Sequence, residues 1–124
     1  MSYILVVDDD DVTRTYLGEV LGNAGYSVKL AAGGKAALEQ HQTQPAKLII
    51  LDILMPDMDG LETMRELRTR DPGVRVLGVS GIWSRFHQDY RSVALKLGML
   101  ALIDKPFTEE DLISQVRTLA GVPG

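Results

Sequence analysis

Short, almost unbroken apolar runs alternate along this chain with longer stretches in which apolar residues recur every three or four positions. The runs Tyr3–Val7, Ser27–Ala31, Lys47–Leu51, Val74–Val79 and Leu100–Ile103 predict strands. Three of them are nearly continuous Ile, Leu and Val, as expected of parallel strands covered on both faces. Helical spacing predicts helices over Val12–Ala24, Gly34–Thr43, Gly60–Arg70, Phe86–Leu97 and Glu109–Leu119. In the first, Val12, Tyr16, Leu17, Val20, Leu21 and Ala24 recur at helical spacing. Turn and cap chemistry falls at the boundaries. Asp10 or Asp11 can cap the first helix, and Gly25 can end it in a left-handed turn. Asp71-Pro72-Gly73 reads as a turn. Thr108 caps the last helix with Asp111 three residues on, close to a capping box. Five strands alternating with five helices imply right-handed β-α-β crossovers and an α/β fold: a doubly wound, five-stranded parallel sheet with helices on both faces.

Composition narrows the function classes. The chain has 124 residues, which fits one domain, and 45% of them are hydrophobic, enough for one core. A net charge of −4 lacks the basic footprint of a nucleic-acid binder, so no direct nucleic-acid binding is expected. There is no cysteine, which removes disulfides, thiolate nucleophiles and cysteine zinc sites, and agrees with a reducing cytoplasm. Four aspartates stop the run Ile4–Val7, leaving it too short for a signal-peptide core or a membrane span. A soluble, cytoplasmic protein is expected, its domain covering residues 1–120. Residues 121–124 read either as a plain tail or as the start of a linker.

In a doubly wound sheet, ligands bind beyond the carboxyl ends of the strands. Here Asp8 and Asp9 follow the first predicted strand, Asp52 the third, Ser80 the fourth and Lys105 the fifth. Three carboxylates held together repel one another unless a cation sits between them. Oxygen ligands without Cys or His favour a hard ion, and Mg²⁺ fits better than zinc. A carboxylate can also attack phosphorus and give an acyl phosphate. Lys105 and the Ser80 hydroxyl would then bind the phosphoryl oxygens, supplying the positioning and charge neutralisation that phosphoryl transfer needs. Each residue also has a plainer reading. Asp8-Asp9 reads equally well as a helix N-terminus with favourable charge, Asp10 and Asp11 as caps, Ser80 as a turn residue and Lys105 as a solvated side chain. The combination points to chemistry.

Four segments carry a family resemblance: Ile4-Leu5-Val6-Val7-Asp8-Asp9-Asp10, Leu51-Asp52-Ile53-Leu54-Met55-Pro56-Asp57-Met58-Asp59-Gly60, Val79-Ser80-Gly81 and Asp104-Lys105-Pro106-Phe107. At these residues the chain resembles the response-regulator receiver family of two-component signalling, over nearly its whole length. The resemblance implies a flavodoxin-like (βα)5 fold with strand order 2-1-3-4-5. It implies Asp52 as phosphoacceptor, with Mg²⁺ held by carboxylate oxygens of Asp9 and Asp52 and the main-chain carbonyl of Leu54. Asp8 would act through a metal-bound water or as a neighbouring charge. Ser80 would hydrogen-bond the phosphoryl group, Lys105 would pair with Asp52 and then the phosphate, and the Lys105–Pro106 bond would be cis. The implied partner is a histidine kinase or histidine phosphotransfer protein. The implied output is a switch of the face made by the fourth helix, fifth strand and fifth helix, through which a homodimer would form. Such a protein catalyses only its own phosphorylation and dephosphorylation and is not a conventional enzyme.

The chain departs from the family pattern in several places. Leu102 stands where an aromatic switch residue is usual, and the stretch from Ser80 to Lys105 is a few positions long. The extra residues fall in 81–86 around Trp83, which reads as a ring packed on a helix edge, a partner anchor or a lid. Met99, Leu100 and Ala101 read either as a deeply buried strand or as an apolar patch on the output face. Apolar Leu54 and Ile82 would hinder the attacking water and slow loss of the phosphoryl group. His41 and His87 are expected at the surface. Two other function classes compete. One is a constitutive interaction module with a degenerate pocket. The other is a Mg²⁺-dependent phosphatase or phosphotransferase for a small molecule, for whose enclosing cap 124 residues leave no room.

Overall fold

The computed structural model describes residues 2–53, 60–81 and 91–123. Expectations resting on Leu54, Ile82, Trp83 and His87, and the predicted helix start at Phe86, lie outside the described residues. The strands are β1 (Ile4–Val7), β2 (Val28–Ala31), β3 (Leu48–Asp52), β4 (Val76–Ser80) and β5 (Ala101–Asp104). The helices are α1 (Asp11–Asn23), α2 (Gly34–Thr43), α3 (Gly60–Arg70), α4 (residues 91–96) and α5 (Glu109–Ala120). The strands form one parallel sheet in the order β2-β1-β3-β4-β5, as expected.

Alternation along the central strands sorts the core into two layers. Leu5, Val7, Ile49 and Leu51 pack with Ala37 and Leu38 of α2, Met64 and Leu67 of α3, and Ala94 of α4. Ile4, Val6, Leu48 and Ile50 pack with Leu17 and Leu21 of α1 and Leu112 and Val116 of α5. Burying each of these large side chains is worth about 1.5–3 kcal/mol, so the two layers dominate the stability. β2 lies at the edge and leaves Lys29 and Leu30 exposed.

Helix termini follow local chemistry. Asp10, not Asp11, caps α1 by accepting from Thr13 N, and Thr108 caps α5 by accepting from Asp111 N. Gly25 has φ +101°, a left-handed backbone that suits glycine. One difference from the predicted boundaries matters for the site. β3 and β4 each run one residue further, to include Asp52 and Ser80. The ladder continues there, pairing Asp52 with Val79 and Ser80 with Asp104. Both polar side chains therefore stand on hydrogen-bonded strand rather than on loops.

Residues 99–101 divide between core and surface. Met99 is buried, whereas Leu100 is exposed on the surface. Leu102 packs against the core beside Met99. A Cβ built on Gly78 would lie 2.6 Å from both the Leu102 and Met99 side chains, so glycine in β4 makes room for them.

His41 corrects an expectation. It is not a surface residue but is 6% exposed, at the end of α2. Its Nδ1 accepts from Ala46 N at 3.0 Å, and its Nε2 meets Asp71 Oδ2 at 2.8 Å. With Nδ1 an acceptor, Nε2 carries the proton and donates to Asp71. The ring thus ties the loop after α2 to the turn after α3. Replacing His41 with Leu leaves a part-buried Ala46 N–H without its acceptor. A loss of about 1–3 kcal/mol in urea unfolding is expected, and a change below about 0.5 kcal/mol would show that the tie is idle.

Candidate functional site

The carboxyl ends of β1, β3, β4 and β5 bring Asp8, Asp52, Ser80 and Lys105 to one edge of the sheet. Asp8, Asp52 and Ser80 are all buried, at 1%, 6% and 6% exposure, while Asp9 faces solvent. One carboxylate oxygen from each of Asp8, Asp9 and Asp52 lies within 4.8 Å of the others. The acids predicted to converge do converge.

Lys105 faces them. Its Nζ is 3.5 Å from Asp8 Oδ2 and 4.0 Å from Asp52 Oδ2, so it sits nearer Asp8 than the expected partner Asp52. Its main-chain N donates to Ser80 O at 2.7 Å, which ties the end of β5 to the end of β4, and the Lys105–Pro106 bond is cis, as expected. Ser80 Oγ donates to Gly81 O at 3.3 Å, a long contact.

The β1–α1 turn is built to present its acids. Asp8 Oδ1 accepts from Asp10 N at 2.9 Å, while buried Asp8 Oδ2 has no hydrogen-bond donor. Asp10 points away to Thr13, whose hydroxyl and amide donate to its carboxylate and hold its pKa below the ordinary value. Asp10 is therefore occupied as a cap. Buried carboxylate oxygens normally have donors or cations. A buried oxygen without a hydrogen-bond donor, in an oxygen-only set where, among the described residues, three acids face the Lys105 ammonium, fits a hard divalent cation.

Two contacts around the site were not read from the sequence. Arg14, in the first turns of α1, donates from Nη1 to the Asp8 main-chain carbonyl at 2.8 Å and pairs with Asp11. Its signal was a cation near a helix start, where the dipole favours anions. Arg91 of α4 pairs with Asp104 at 2.7 Å, one residue before Lys105. That pair joins two consecutive elements across thirteen positions, and no spacing rule reveals it.

Comparison with known proteins places this arrangement. A family model described as "Response regulator receiver domain" matches residues 4–117. The response regulator MprA of Mycolicibacterium vanbaalenii is 36% identical over 116 residues, covering 94% of this chain and 49% of that protein. MprA of Mycobacterium avium is equally similar, with 50% of it covered. The chain thus spans about half the length of these curated relatives. The receiver domain of NtrX from Brucella abortus superposes with a TM-score of 0.88 at 27% identity, covering 94% of this chain and 97% of that one. The Vibrio cholerae chemotaxis protein CheY4 superposes with a TM-score of 0.86 at 27% identity, covering 96% and 98%.

Proposed function

The chain belongs to the response regulator receiver domain family of two-component systems, and from that premise we propose that it is a phosphorylation switch whose acceptor is Asp52. The phosphorylatable unit is residues 1–120. The donor is a histidine kinase or histidine phosphotransfer protein. Asp9 and Asp52 would hold Mg²⁺ together with the Leu54 carbonyl, and Asp8 would act through a metal-bound water or as a neighbouring charge. Bound there, Mg²⁺ supplies charge neutralisation for the phosphoryl oxygens.

The chain's own residues do the rest. A carboxylate oxygen of Asp52 forms a P–O bond as the donor's P–N bond breaks, the electron pair leaving with the donor nitrogen. Strand β3 holds that carboxylate fixed. Lys105 contributes a positive charge to the oxygens that gain negative charge, and Ser80 donates its hydroxyl to one of them. Water attack on phosphorus later returns the carboxylate and inorganic phosphate. Phosphorylation adds about −1.5 to −2 charges beside residues already under charge strain. Ser80 and Lys105 follow that charge and shift the packing of α4, β5 and α5, a change of population between two packings. That face is also where a homodimer would form.

One observation carries the reading: Asp52, Asp8 and Asp9 meet within 4.8 Å while Lys105 faces the two buried acids. The test is incubation with Mg²⁺ and acetyl phosphate followed by intact-mass measurement. A single phosphoryl adduct is expected on the wild type and none on Asp52→Asn. No adduct from any donor, with no Mg²⁺ binding, would instead identify a constitutive interaction module. Repeated turnover of a phosphorylated metabolite would identify an enzyme.

A further inference from the structure

We infer that Arg14 is a positioning residue for the acid cluster: by pinning the Asp8 carbonyl it aims the Asp9 carboxylate at the cation that Asp8 and Asp52 also face. The inference rests on the reading of that cluster as a divalent-cation site.

The argument begins with the peptide between Asp8 and Asp9. Asp8 is held at both ends of its residue: its N–H donates to Ala31 O at 3.2 Å, and its Oδ1 accepts from Asp10 N at 2.9 Å. Asp9 has no such burial to orient it and lies exposed at the turn. Its direction is set by rotation of the peptide that joins it to Asp8, and the marker of that rotation is the Asp8 carbonyl. Arg14 Nη1 donates to this carbonyl at 2.8 Å.

Arg14 can do so because helical side chains lean toward the N-terminus. From the fourth position of α1 the guanidinium therefore reaches back over the cap to the strand end. Its side chain is only 15% exposed, and its Nη2 pairs with Asp11, so both terminal nitrogens of the planar fork are engaged. Partners that orient a metal's ligands typically contribute 10–100-fold to affinity without touching the metal.

The charge of Arg14 predicts the opposite sign, which makes the inference testable. Were Arg14 only a counter-charge, removing it would leave the acids more negative and tighten cation binding. As a positioning residue, its loss weakens binding.

The experiment is calorimetric titration of MgCl₂ alone into wild-type, Arg14→Met and Arg14→Lys proteins. Met keeps the aliphatic stem without a donor, and Lys restores a charged donor able to reach a carbonyl. Arg14→Met is expected to raise the Mg²⁺ Kd about tenfold or more, with Arg14→Lys recovering most of that loss. A variant unfolded in buffer is refolded in the osmolyte trimethylamine N-oxide, as judged by circular dichroism, and all three proteins are then titrated there. An Arg14→Met Kd equal to or tighter than wild type overturns the inference while leaving the site intact. A wild type that binds no Mg²⁺ overturns both the inference and the reading beneath it.

Discussion

Replacing Gly60 with alanine is expected to cost more than about 3 kcal/mol of unfolding free energy, and to impair phosphorylation of whatever protein still folds. A Cβ built on Gly60 would lie 2.3 Å from Asp52 O, 2.4 Å from Ile53 Cα and 2.9 Å from Ile53 O. All three are backbone atoms, so no rotamer change relieves the overlap. The close approach has a purpose in the fold: Gly60 N donates to Ile53 O at 2.8 Å, seating the start of α3 directly on the end of β3. Any relief must move either α3, with Met64 and Leu67 in the core, or the strand end that carries Asp52. The first choice costs stability and the second displaces the acceptor carboxylate. Urea denaturation reports the former, and the rate of adduct formation with acetyl phosphate reports the latter. An alanine variant within about 1 kcal/mol of wild type and phosphorylated at its rate would show that the backbone yields more easily than these distances allow.

What the sequence disclosed and what it withheld follow from the range of the interactions involved. Strand β3 was plain because Leu48, Ile49, Ile50 and Leu51 are apolar in succession and all buried, which is a local pattern with one cause. The acid cluster was nearly as plain, because parallel topology sends strand ends to one edge and the acids sit at those ends. Gly60 belonged to a recognisable segment, yet its need for a missing Cβ depends on how closely α3 approaches β3, a distance that no pattern encodes. His41 was misread for a related reason. A histidine near a helix end is ordinarily solvated, and only the fold brings Asp71, thirty positions on, against its ring. Arg14 lay between these cases. Its place near a helix start after four aspartates was visible, but the carbonyl it holds was not.

The charge balance of the site leads to the second large effect, a pair of substitutions expected to move stability in opposite directions. Among the described residues, three carboxylates face one ammonium, so repulsion is undercompensated. At 4.8 Å, the outer limit of their separation, and an effective dielectric near 20, each carboxylate pair repels by about 3.5 kcal/mol, and exposure of Asp9 lowers its share. In divalent-free buffer of low ionic strength, Asp52→Asn should therefore stabilise the protein by about 1 kcal/mol or more, since Lys105 keeps its nearer partner Asp8. Lys105→Met should destabilise it by about 1–3 kcal/mol, because Asp8 Oδ2 would lose its cation while having no hydrogen-bond donor. Added Mg²⁺ changes the order. A ligand at a hundred times its Kd stabilises the state that binds it by about 2.7 kcal/mol. Wild type gains that amount, Asp52→Asn gains less for want of a carboxylate, and Lys105→Met recovers as the divalent ion takes the place of the ammonium. Urea melts of the three proteins in chelator and in Mg²⁺ measure the whole set. If Asp52→Asn proves less stable than wild type in chelator, the acids are not under mutual strain, and the cation loses its physical reason to bind among them.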